Sequence, residues 1–460
     1  MIHPERIRPL NAQPRRNGEY VLYWMQQSQR AEDNHALEYA VQQANESGLP
    51  VRVIFGLMDD YPEANLRHYR FMLEGLQETQ ATLADRGIAM TVRRGPPAEV
   101  ALKAGRSASL IVCDRGYLRH QKQWRGRVAE EAGCHVVQVE SDVIVPVEVA
   151  SSKSESAART LRPKIHRHLN TYLVGLRPTK VHKRSVQKKG DGLALVDLDV
   201  ALASLKIDRN VEPVAQFHQG GTSRAKARFR DFVAKRLSGY KEQRNQPHLD
   251  HVSYMSMYLH FGQISPLYLA LHIEQAAHAH RTDAESFLEE LIVRRELAMN
   301  FVYFTPNYDS FDCLPRWAQE TLHAHQKDKR EYVYSRARLE AADTHDPYWN
   351  AACREMLITG YMHNHMRMYW GKKILEWSRT PQDAHAVTLA IMNKYYLDGR
   401  DPNSYSNVAW LFGQHDRPWA ERPIFGKVRY MSASGLKRKT DFAAYLRKVE
   451  TLAARRNKRE

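Results

Sequence analysis

Apolar residues in the first third of the chain come in short runs separated by longer amphipathic stretches. The β-rich runs fall at 20–25, 51–58, 90–94, 110–113 and 135–139. Between most of them, 34–47, 66–86 and 117–132 repeat their apolar positions at helical spacing. Strands alternating with helices predict a parallel, doubly wound α/β sheet. No G-x-G-x-x-G follows the first run, so the usual dinucleotide fingerprint is absent, although a ligand could still sit at the carboxyl ends of the strands. From 148 to 220 the pattern loosens into SSKSES, a basic stretch and Pro213, which predicts a linker with some helix. Beyond Gly220-Gly221 helical periodicity dominates, over 223–240, 266–280, 284–303, 316–325, 346–359 and 361–378. The expected organisation is an α/β domain over 1–147, a linker over 148–220 and an all-α domain over 221–460.

Composition adds a globular core and an unusual charge. The 460 residues are 43% hydrophobic, enough for two or three domains and too apolar for intrinsic disorder. Net charge is +16, and it is localised: 151–190 carries a net +10 and 421–460 a net +8. Charge of that kind suits a polyanion, with a membrane surface or an acidic protein as rivals. In 427–439 basic residues alternate with Tyr430 and follow Trp419, a mixture fitted to phosphates and exposed bases. The cysteines (Cys113, Cys134, Cys313, Cys353) form no C-x-x-C pair, which argues against a disulfide framework or a zinc knuckle. The start, MIHPERIRPL, has no apolar signal core and no run reaches membrane-spanning length, so a soluble, cytoplasmic protein is expected.

Hydrolytic templates are missing: there is no H-E-x-x-H, no P-loop and no G-x-S-x-G. His363 and His365 lie two apart, and on a helix such residues point in widely different directions, so no metal is expected there. Aromatic residues are plentiful instead. Trp370 and Trp377, seven apart, share one helix face, and Trp349 follows the helix-opening Asp346-Pro347. Tryptophans at this spacing are ordinarily core. Two other stretches read as ligand loops: 251–265, a phosphate cradle or a plain helix cap, and 395–410, a turn-rich segment that is either functional or a connector.

Taken together, YVLYWMQQSQR (20–30), YLHFGQIS (258–265), LEELIVRRELAMNFVYF (288–304), HDPYWNAACREMLITGYMHNHMRMYWGKKILEW (345–377), YYLDGRDPNSYSNVAW (395–410) and RPIFGKVRYMSASGLKRK (422–439) resemble the photolyase/cryptochrome family. Within it they are most similar to the class II cyclobutane pyrimidine dimer photolyases. The resemblance implies FAD, reduced and anionic when active, and DNA carrying ultraviolet-induced dimers as partner. Light drives an electron to the dimer and it returns after the ring splits, so acid–base machinery is not needed. The lesion would flip out of the duplex. A deazaflavin or folate antenna can accompany the N-terminal domain in this family. A monomer is expected.

Carried over by position, Tyr240, Val252, Ser253, Tyr254, Met255 and Ser256 would hold the flavin phosphates and ribityl chain. Arg367 and Asp398 would pair beside the flavin ring, with Gly399 and Arg400 completing that wall. Glu290 would bond the dimer carbonyls, while Met368 and Trp410 pack on the lesion. Arg244, Trp419, Lys427 and Arg429 would meet the duplex. Trp370, Trp349 and Trp377, with Tyr334 alongside, would carry electrons inward. One position departs from the class II pattern: Met392 stands where an Asn approaches flavin N5, and the adjacent Asn393 would have to take that role. A light sensor on the same fold and a light-independent nucleic-acid-binding protein are the rival readings.

Overall fold

The computed structural model describes residues 2–186 and 192–457, so 187–190 and 458–460 of the two basic segments lie outside the described residues. Six strands form one sheet: β1 (Ile7–Pro9), β2 (Tyr20–Trp24), β3 (Val51–Leu57), β4 (Ala89–Arg94), β5 (Ala108–Asp114) and β6 (His135–Val139). Their order is β1-β6-β5-β2-β3-β4, all parallel except the β1–β6 edge pair. The strands alternate their side chains between two cores. Val21, Tyr23 and Val53 pack under helices His35–Glu46 and Leu66–Asp85, whereas Leu22, Trp24 and Ile54 face helices Pro97–Gly105 and Arg119–Glu131. Coverage on both faces explains why β2 and β5 are buried along their whole length and read as unbroken apolar runs.

The chain reverses its direction of travel across the sheet between β2 and β5, the usual place for a ligand crevice in such folds. There Asp114, ending β5, accepts the backbone amides of Gln26, Gln27 and Ser28, at 2.9–3.0 Å. Those three bonds offset part of the burial that raises the Asp114 carboxyl.

The structure departs from the sequence pattern at five places. β1 is a short antiparallel edge strand whose three residues were too few to register as a period. Helix Pro97–Gly105, which the apolar pattern did not mark, starts with proline at its first position. Residues 395–410 are not one long turn: Asp401 caps Asn403 N–H, Pro402 follows, and Pro402–Leu411 is helical. Preceding it, Pro381–Tyr395 is a further helix, capped by Thr380. The predicted 284–303 helix is continuous in space, but Glu289–Arg294 winds as a π turn between Arg281–Leu288 and Arg295–Phe304.

From Thr222 onward the elements are helices, and the sheet half is tied to them by buried arginines. Arg67 donates to the carbonyls of Met356, Leu357 and Tyr395, and Arg30 to that of Gly262 while pairing with Asp142 at 2.7 Å. No helix among the described residues is long and apolar enough to cross a membrane.

Candidate functional site

The helical half holds a cavity of about 500 Å³, within the range of cofactor sites. Its walls come from four places. Helix Tyr240–Gln243 supplies Tyr240, with Arg244 at its end, and the irregular run before helix Ser256–His260 supplies Val252, Ser253, Tyr254, Met255 and Ser256. The π turn supplies Glu290, and the facing wall carries Arg367, Met368, Asp398 and Trp410. All of these were expected in one site from the sequence resemblance, and the fold brings them to one cavity. Tyr254 holds a left-handed backbone (φ +58°), unusual for a bulky residue. It is held by its hydroxyl on Asp250, by Arg228 at 4.9 Å from its ring and by the Tyr361 ring at 4.8 Å.

Arg367 and Asp398 form a buried two-bond pair at 3.0 and 3.1 Å, and Arg367 Nε donates to the Met362 carbonyl. Burial alone would lower the Arg367 pKa, but Asp398 and the phenols of Tyr396 and Tyr361 outweigh it and raise it, so the guanidinium stays charged. A fixed positive charge in the lining of a cavity suits an electron-rich ring. Asn403, Ser404 and Asn407 add amide and hydroxyl groups to the same lining. Rings, aliphatic groups and hydrogen-bonding groups thus alternate around a space the size of a folded dinucleotide, and this donor set fits FAD.

At the mouth, Arg244 pairs with Glu290 at 2.9 Å. The π turn that positions Glu290 is a form that recurs at functional sites. Two cations lie over the Trp410 ring, Lys372 Nζ at 5.7 Å and the Arg429 guanidinium at 5.6 Å. Arg429 also reaches the exposed Trp419 at 5.0 Å, and Lys427 accepts the Trp419 amide through its carbonyl at 2.8 Å. The duplex-contact candidates are therefore contiguous with the cavity mouth. Lys372 is wholly buried, donates to the Leu411 carbonyl, and is pushed down to about 7 by burial, with Asp416 opposing.

Behind the cavity runs an aromatic series. Arg367 lies over Tyr396 at 4.2 Å, and Tyr396 meets Trp370 at 6.4 Å. Trp370 stacks on Trp349 at 6.0 Å, and Trp349 meets Trp377 at 5.6 Å. Trp377 then meets Tyr334 at 5.3 Å near the surface. The tryptophans are core residues and a connected series at once, so the two sequence readings do not compete.

Three expected residues lie elsewhere. Arg400, with φ +62°, turns its side chain from the cavity to His68 (3.1 Å) and the Asn393 carbonyl. Gly399 is packed against the Met392 and Asn393 backbone and does not line the cavity. Asn393 donates to Glu63 at 2.5 Å and accepts the Arg400 amide at 2.8 Å, while Met392 is buried in the helical core. Neither lines the cavity. His363 caps its helix by accepting the His365 amide, and burial pushes it down to about 3. Lys372, Asn403, Ser404, Asn407 and Tyr396 were missed. Their only trace in the sequence is polar or aromatic identity inside helical segments, where a solvent-facing or core position is the ordinary reading.

A second crevice, of about 90 Å³, lies where the β2 and β3 ends meet the helical half. Gln26, Met58, Tyr69, Trp124, His260 and Arg400 are among its lining residues.

Comparison with known proteins places these features in a family. The DNA photolyase family profile matches residues 21–183. The deoxyribodipyrimidine photo-lyase of Methanothermobacter thermautotrophicus is 50% identical over 453 residues, covering 98% of this chain and 99% of that protein. That of Potorous tridactylus is 39% identical over 433 residues, covering 93% and 81%. In fold, a Synechocystis cryptochrome superposes with a TM-score of 0.70 at 16% identity, over 93% of this chain and 88% of that one. Because half of all positions are shared with a full-length relative, the chain belongs to the DNA photolyase family.

Proposed function

We propose that the protein repairs cyclobutane pyrimidine dimers in DNA by light-driven electron transfer, as a class II photolyase working as a monomer. The observation that carries this reading is the single cavity uniting Glu290, Met368 and Trp410 at its mouth with the Arg367–Asp398 pair inside. Reduced FAD, when bound and excited by light, supplies the electron that opens the dimer. The chain's own residues do the rest. Tyr240 and the 252–256 run hold the polar tail of the cofactor, and Arg367 stabilises negative charge on its ring. Glu290 reaches the dimer carbonyls once the lesion displaces Arg244, which then turns to phosphate. Met368 and Trp410 give the flipped bases an apolar seat that excludes water, and Trp419, Lys427 and Arg429 hold the strand beside it. Trp370, Trp349 and Trp377 resupply electrons from the surface.

In this reading 1–147 is an antenna-type domain, 148–220 a basic and partly helical linker, and 221–460 the catalytic domain. The aromatic-lined crevice between the sheet and the helices supports a planar antenna there, a deazaflavin or a folate. The occupied side chain of Asn393 supports a flavin N5 environment without the usual asparagine, Met392 standing in its place.

The test is a repair assay on a thymine-dimer oligonucleotide with chemically reduced protein, in blue light and in darkness. Light-dependent loss of the dimer is the expected outcome. Bound flavin and tight binding of damaged DNA without repair would overturn the enzyme reading in favour of a light sensor.

A further inference from the structure

Met368 and Trp410, the apolar seat of the proposed site, share one buried neighbour. Lys372 follows Met368 by four residues in the helix Asn364–Trp377, so the two share a face one turn apart. Its Nζ lies 5.7 Å from the Trp410 ring and donates to the Leu411 carbonyl, at the end of the helix that carries Trp410. The last carbonyls of a helix have no partners within it, and its C-terminus favours positive charge, so the ammonium is well placed there. Gly371 lets the two helices close, because a Cβ on it would run into Leu411 Cδ1. Lys372 is 1% exposed and does not line the cavity, whereas Met368 and Trp410 do.

The ion pairs of the site are each neutral: Arg367 is matched by Asp398 and Arg244 by Glu290. Lys372 differs, for among the described residues no carboxylate forms an ion pair with it. Asp416, in the turn after Pro402–Leu411, favours its charged form from a distance while accepting the Trp419 indole N–H at 3.3 Å and the Arg417 amide at 2.9 Å. Arg429, 5.6 Å from the Trp410 ring, opposes that charge. His415 in the same turn is pushed down to about 4 by burial, and burial also lowers His365 on the lysine's own helix, so neither is charged near neutral pH. Lys373 is paired with Glu376 at 2.6 Å. Asp416 and Arg429 offset one another, and the charge left against the seat is that of Lys372.

Repair leaves one extra electron on the dimer until its ring has opened, and Met368 and Trp410 are the surfaces against which that dimer would lie. We infer that Lys372 is an electrostatic positioning residue for this step: acting through Trp410 and without touching the dimer, its ammonium stabilises the negative charge and favours ring opening over premature return of the electron. Lys372 exchanges neither a proton nor an electron, and the electron leaves the dimer once both ring bonds are broken, so the step balances. An apolar seat screens little, which lets a charge act across an indole. Only the ammonium can do this. Burial pushes Lys372 down to about 7, so the effect is present below that value and is lost as pH rises through it.

This inference rests on the proposed repair reaction, and the experiment separates the two. The flavin-loaded full chain is chemically reduced and saturated with a thymine-dimer oligonucleotide. The quantum yield of repair is measured between about pH 5.5 and 9, with dissociation constants taken in darkness. In the parent the yield should fall by roughly fivefold as pH rises through neutrality, the scale of one unit charge acting over a ring's breadth. Lys372→Met should give the low yield at every pH while binding the oligonucleotide about as tightly as the parent. Lys372→Arg stays charged throughout and should keep the high yield. A parent profile without that fall, a Lys372→Met that keeps the parental yield at acidic pH, or a loss confined to binding would overturn the inference and leave repair standing. A parent that opens no dimer at any pH would overturn the repair reading, and this inference with it.

Discussion

Lys372 shows how one residue couples stability to the site. Its ammonium is enclosed beneath Trp410, and burial pushes it down to about 7 from 10.5. Between those values the unfolded chain binds the extra proton and the folded one does not. Its contribution to stability therefore rises with pH across that window, and below about 7 the full cost of a buried charge is present. The free-energy difference between Lys372→Met and the parent should favour the variant most at neutral or lower pH. It should then shrink by up to about 1.4 kcal/mol per pH unit toward pH 10. Denaturant unfolding at several pH values measures this, and a difference that stays flat would show that Lys372 does not titrate there. The sequence could not reveal such a residue, because a lysine in GKKILEW reads as a solvated helix position. Only the packing of Pro402–Leu411 over the helix Asn364–Trp377 encloses it.

At the scale of elements, helix phase was readable wherever one face met a core, and helix ends were readable where side chains capped them. Asp346-Pro347 is an example: both cap and first-turn proline sit where the residue types require. The π turn at Glu289–Arg294 was not readable, since one extra residue per turn leaves no mark in a short apolar pattern. It nonetheless determines where Glu290 points. Gly360 ends the helix Pro347–Thr359 with φ +73°, and its carbonyl accepts the Leu397 amide at 2.9 Å. A Cβ there would come 3.0 Å from Leu397 Cγ and 3.3 Å from Val214 Cγ2. Gly360→Ala should cost about 1–2 kcal/mol, from left-handed strain and crowding together, read as a lowered urea midpoint at unchanged slope. Because Leu397 precedes Asp398, weaker flavin retention should accompany it.

For the whole molecule, charge and shape act together. The net +16 is concentrated in two segments, and part of one of them, Lys427 to Arg429, stands beside the cavity mouth through Trp410 and Trp419. Binding to damaged duplex should weaken linearly in the logarithm of salt concentration. Lys427→Ala should reduce that slope by about one if this lysine meets a phosphate. An unchanged slope would remove Lys427 from the contact surface. The chain by itself determined the alternation of strands and helices, the localisation of charge and the family to which its motifs belong, because periodicity and residue order are properties of sequence. Only tertiary structure decided that Arg400 and Asn393 turn away from the cavity and that Lys372 is buried beneath Trp410. Those outcomes depend on how elements distant in sequence pack, and no local pattern encodes the side-chain direction that packing selects.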